Sequence, residues 1–138
     1  MTYEEIKNII SQGEGVNIEF KKSTTDITKD VYETVCAFSN REGGHILLGV
    51  KDDGTVIGVD RNRAERIRSD FVTSINNPNK MYPPLYLMIE NIEYDDKLII
   101  YIFVPESTQV CRCGGRIFDR NNDSGIDITN SGDLVFKL

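Results

Sequence analysis

Between Gly43-Gly44 and Asp53-Gly54 lies a short run, His45 to Val50 (HILLGV), that is almost wholly apolar. A strand with one wet face alternates apolar and polar residues, because successive side chains point to opposite faces. A run without alternation suits a strand buried on both sides, at the centre of a covered sheet. Such a strand needs pairing strands beside it and helices across it. The rest of the chain carries signals for both.

Three segments have helical spacing. Thr2 with Glu5 forms a capping-box signature ahead of Tyr3 to Gln12, Ile6, Ile9 and Ile10 give an apolar stripe, and Gly13 ends it. Ile27, Val31, Val35 and Phe38 mark a second helix, running to about Asn40 and stopping at Gly43-Gly44. Ala64, Ile67, Phe71 and Ile75 mark a third over 62–75. Val16, Ile18 and Phe20 alternate with polar residues, which predicts a strand with one polar face. Asp53-Gly54 predicts a hairpin whose return strand is Val56 to Val59. Leu85 to Tyr94 and Leu98 to Val104, joined at Asp95-Asp96, predict a second hairpin. Arg116 to Asp119 reads as a last short strand, and 121 onward as a polar tail before LVFKL. That ending fits either a short closing helix or a domain cut from a longer chain. Helices interleaved with hairpins predict an α+β fold: one domain over 1–138, a mixed β-sheet flanked by about three helices.

At 138 residues and 39% hydrophobic composition the chain is long enough for one cored domain, which argues against a disordered chain or a disulfide scaffold. No apolar run reaches 18 residues, so no membrane span is expected. The start, MTYEEIKNII, lacks a basic region followed by an apolar one, and the cysteines number three, Cys36, Cys111 and Cys113. Free thiols and no export signal predict a cytoplasmic protein. Cys111 and Cys113 lack the Cys-x-x-Cys spacing of zinc sites, and His45 is the one histidine.

The net charge of −6 argues against a generally basic nucleic-acid coat. The charge is uneven, however. Residues 61–80 hold five basic and two acidic side chains, while the segments on either side are acidic. In RNRAERIRSD, Arg63 and Arg66 lie three apart on one flank of the helix, and Arg61 and Arg68 share the other. Guanidiniums in this pattern suit phosphate contacts. The same residues also fit a solvated face paired with Glu65 and Asp70.

A second constellation is Glu14, Glu19, Lys21 and Asp52. Glu19 and Lys21 share a strand face, Gly13 and Gly15 let the chain bend to bring Glu14 near, and Asp52 leaves the central strand. Three converging carboxylates would suit Mg²⁺ or Mn²⁺, with Lys21 neutralising charge on a phosphate. Ordinary solvated acids fit the same spacing. His45 is expected to be packed, and Ser39 has no triad partners in the sequence.

Several segments together resemble the Schlafen AlbA-2 domain, formerly the divergent AAA-4 type. They are GEGVNIEFKKS at 13–23, AFSNREGGHILLGVKDDGTVIGV at 37–59, YPP at 82–84, IIYIFVPES at 99–107 and GRIFDRNNDS at 115–124. The resemblance implies an AlbA-2-like fold and an N-terminal module of a larger bacterial protein, a transcriptional regulator or helicase-related. Such modules are regarded as DNA-binding. In animal Schlafen proteins two copies form a horseshoe that cleaves structured RNA with two Glu and an Asp; by motif these fall on Glu14, Glu19 and Asp52. This chain has one copy and lacks the Cys/His zinc set, though a homodimer could stand in for the tandem pair.

The expected function is therefore nucleic-acid binding, DNA ahead of RNA, through Arg61, Arg63, Arg66 and Arg68, with Lys21, Lys22 and Arg41 as additions and no cofactor required. The alternatives are a metal-dependent endoribonuclease using Glu14, Glu19, Asp52 and Lys21 with Mg²⁺ or Mn²⁺, and a protein-interaction module.

Overall fold

In the computed structural model, which describes residues 1–136, the apolar run becomes the strand it predicts. Strand β2 (Gly44–Leu48) lies inside a four-stranded mixed sheet with β1 (Ile18–Lys21), β4 (Met88–Tyr94) and β5 (Lys97–Val104), ordered β1-β2-β5-β4. β1 runs parallel to β2, with Ile18 opposite His45, and β5 runs antiparallel, with Ile46 opposite Ile102.

Both faces of this sheet are covered. Leu47, Ile99 and Tyr101 point to one side, where Ile6 and Ile9 of helix α1 (Tyr3–Gln12) cover them. Ile46, Leu48, Ile100 and Ile102 point to the other, against α2 (Lys29–Asn40) and α3 (Ala64–Ile75). The Thr2–Glu5 capping box forms as its spacing predicts. Asp95 and Asp96 both take positive φ, 48° and 65°, in the two-residue turn between β4 and β5.

A second, antiparallel sheet was not read from the sequence. It is ordered β3-β6-β7-β8, from β3 (Met81–Tyr82), β6 (Arg112–Cys113), β7 (Arg116–Asn121) and β8 (Ser124–Asp127). Its residues Met81 and Cys113, with Cys111 just before β6, join the core under α2, and α2 is buried from Thr34 to Asn40. An all-round buried helix is what two flanking sheets require. The polar stretch after Asn121 is thus a hairpin turn, with Asn122 at φ 54°, leading into β8. Helix α4 (Gly132–Phe136) follows, and the last two residues of LVFKL lie outside the described residues.

The expected return strand over Val56 to Val59 does not form. Val50 and Val56 make one isolated bridge, while Ile57 and Gly58 both donate to the Gly49 carbonyl. Gly49 sits at φ 97°, and a Cβ there would lie 2.9 Å from the Val59 nitrogen, so the chain doubles back too tightly to build a ladder.

Candidate functional site

The bend expected around Gly13 and Gly15 is present. Gly13 takes φ 78°, and the Gly15 amide donates to the Ile18 carbonyl. It brings Glu14 back onto β1, where its carboxylate accepts a hydrogen bond from the Phe20 amide at 3.1 Å. Glu19 does not line a polar face as its alternation predicts. It is buried, and its Oε1 accepts from Nη1 of Arg120 at 3.1 Å.

Lys21 bridges Glu19, 3.8 Å away, and Asp30. Partial burial pushes the Asp30 carboxyl up, but hydrogen bonds from Lys21 and Thr28 outweigh it and hold the group below its ordinary range. Asp52 is exposed in the turn that follows Val50, and it is the neighbouring Asp53 that caps this turn by accepting from the Thr55 amide. Among the described residues no group of three or more His, Cys, Asp or Glu side chains is placed to hold a metal ion. Glu14, Glu19 and Asp52, the carboxylates expected to converge on Mg²⁺ or Mn²⁺, are thus not brought together as one group in this structure. A guanidinium, not a cation-sized gap, faces Glu19.

That guanidinium is the side chain sequence reasoning missed. Arg120 is 1% exposed. Its Nε and Nη2 donate to the Gly15 carbonyl, its Nη2 also to the Ile18 carbonyl, and its Cζ lies 5.0 Å from the Phe38 ring centre. A buried charge survives only when paired and hydrogen-bonded in this way. Beside it, buried Asp119 takes a bidentate pair from Arg41, 2.9 and 3.0 Å, and accepts from the Arg120 amide. Asn40 completes the joint by donating to the Cys111 and Phe118 carbonyls and accepting from the Cys111 amide. The available signal was Asp119-Arg120, two charges inside the apolar pattern of a strand.

Arg41 is thereby committed to Asp119, which holds its guanidinium more firmly protonated. The cysteines are free and buried. Hydrogen bonding to Cys111 and burial push the Cys36 thiol up, and burial raises Cys113 to about 11, so both stay protonated near neutrality. His45 packs against Tyr101, with 2.6 Å between Nδ1 and the phenol oxygen, and burial lowers its pKa.

The four arginines around α3 divide by flank. Arg61 makes a bidentate pair with Glu93, and Arg68 donates to Asn91, both on β4. Arg63, in the turn before the helix, has no side-chain hydrogen bond or ion pair among the described residues. Arg66 stands 3.9 Å from Asp70 on an exposed face. Lys22 is also exposed. Arg63 and Lys22 thus keep no side-chain partner among the described residues and Arg66 only its long contact with Asp70, whereas Arg61, Arg68, Arg41 and Lys21 are engaged by partners of the fold, Arg61 and Arg41 from solvent-exposed positions.

The family model of Schlafen, AlbA_2 matches residues 14–129. This chain belongs to the Schlafen AlbA_2 family.

The AlbA_2 fold recurs in solved structures. The DIP2311 protein of Corynebacterium diphtheriae aligns with a TM-score of 0.61 at 14% identity, over 90% of this chain and 26% of that one. The N-terminal domain of a Nitrosomonas europaea protein, named for its relation to the ATP-dependent DNA helicase RecG, aligns with a TM-score of 0.56 at 23% identity, over 72% and 71%. By sequence, the AlbA_2 chain is 39% identical over 67 residues to an uncharacterized ATP-binding protein of Ureaplasma parvum serovar 3. That match spans 46% of this chain and 19% of the relative's length. No described helix of the AlbA_2 chain is long and apolar enough to cross a membrane.

Proposed function

We propose that this AlbA_2 domain is the nucleic-acid-binding module of a bacterial transcriptional regulator, gripping phosphates through the outer flank of α3. The observation that carries this reading is the pairing of Arg63 with Arg66 on one flank of the only basic segment, while the β4 side chains occupy Arg61 and Arg68. Two adjacent guanidiniums with few internal partners lose little on meeting phosphate oxygens. Membership of the AlbA_2 family and the helicase-related name of the Nitrosomonas protein support a nucleic-acid partner. DNA is the first partner to try, with RNA second.

The test is a fluorescence anisotropy titration of the purified domain against labelled DNA and RNA across a salt series. Phosphate binding gives affinity that falls steeply with salt, with a slope of about 0.9 per neutralised duplex phosphate. No binding to either nucleic acid at low salt would end this reading.

A further inference from the structure

A slot of about 350 Å³ opens where the start of α2, the end of α3 and the β6–β7 turn meet. Tyr32, Met81 and Cys113 form its apolar walls, Ser74 and Asn79 supply polar groups, and Lys29 and Lys80 stand at its rim. No acidic side chain lines it, in a chain where acids outnumber bases 22 to 16. Tyr32 is braced from behind, stacked on Phe71 at 5.8 Å between ring centres. A second depression shares Tyr32, Ser74 and Lys80 with the slot and continues along α3 past Asp70 and Thr73.

The outer flank of α3 leads into this groove. Arg63, Arg66, Asp70 and Thr73 recur at three- and four-residue steps, so they form one stripe. From Arg66 to Ser74 the helix rises about 12 Å. The acids Asp26 and Asp70 lie in the outer depression, and Asp70 faces Arg66. The charged side chains that line the slot itself are Lys29 and Lys80, and Glu33 stands 3.9 Å from Lys29 outside the lining.

We propose that the slot receives an unpaired nucleobase, with Lys29 and Lys80 on the attached phosphate. The proposal rests on the phosphate-binding reading for the path of the strand from Arg63 and Arg66. Flat rings favour an aromatic wall, and single-stranded nucleic acid is held by aromatic surfaces beside cationic grooves. The Asn79 amide carries both a donor and an acceptor for a base edge. A paired base is hidden in its stack, so duplex cannot fill the slot.

The experiment is an amide NMR titration of the labelled domain with a short oligodeoxyadenylate, with AMP, and with a blunt duplex of the same length. The oligonucleotide is expected to shift Tyr32, Ser74, Lys80 and Gly114, with AMP shifting the same signals at higher concentration and the duplex leaving them still. Lys29→Ala with Lys80→Ala, both at exposed positions, should weaken the oligonucleotide by about tenfold, a change of 1.4 kcal/mol. If the oligonucleotide binds while those signals stay still, or if the lysine variant binds unchanged, the slot proposal is wrong and the phosphate reading survives. If the slot signals move equally in wild type and in Arg63→Ala with Arg66→Ala, and affinity is unchanged, the slot stands and the phosphate reading falls.

Discussion

Oε1 of Glu19 lies 3.1 Å from Nη1 of Arg120, joining the first strand of one sheet to the third strand of the other across a sequence separation of 101 residues. Neither group meets solvent appreciably, so the pair behaves as a buried unit. Removing Arg120 leaves the Glu19 carboxylate with only Lys21, 3.8 Å away, as a cationic partner, so the cost falls at the low end for a broken buried pair, about 3 kcal/mol. Arg120→Met should lower the unfolding free energy by that amount in urea titration. Arg120→Met with Glu19→Leu should recover much of the loss, because the lone carboxylate has gone. Equal losses in the single and double variants would contradict the coupling.

The neighbouring pair should behave asymmetrically. Asp119 is buried and also accepts the Arg120 amide, whereas 45% of the Arg41 side chain is exposed. Arg41→Ala is expected to cost about 1 kcal/mol, since water can replace part of its role. Asp119→Ala strands two sets of donors and should cost about 2–3 kcal/mol or more. Thermal or urea unfolding of the two variants gives the order directly, and the reverse order would count against this joint.

Acid stability should carry the mark of Asp127. Hydrogen bonds from Arg116, then from Thr129, pull its carboxyl from 3.8 down to about 2. A depressed folded value means that the unfolded chain binds the proton more readily. The contribution is fully present above pH 3.8 and is lost as the pH falls through about 2. Asp127→Asn should therefore flatten the fall in stability within that window and leave the slope near neutrality unchanged. An identical acid limb in wild type and variant would exclude the effect.

What the sequence made legible was local. The Ile6–Ile9 stripe, the Thr2–Glu5 box, the apolar His45–Val50 run and the Asp95-Asp96 turn depend on neighbours a few residues away, and each stands where its spacing places it. Glu19 could not be read correctly, because its burial is created by Arg120 and not by the alternation around it. Arg61 looked like a free cation for the same reason: Glu93, 32 residues on, holds it. The strands β6 and β8 are too short to show a period of their own and exist through pairing with β7.

In the proposed function one flank of α3 meets nucleic acid while the other serves the fold. This division is tested most directly by titrating DNA or RNA against two double variants at one low salt concentration. Arg63→Ala with Arg66→Ala is expected to weaken binding and reduce the salt slope by about 1–2. Arg61→Ala with Arg68→Ala, which removes side chains held by Glu93 and Asn91, should leave binding close to wild type and lower stability only slightly, because the pair to Glu93 is solvent-exposed. Binding lost through Arg61 and Arg68 but kept without Arg63 and Arg66 would contradict the account.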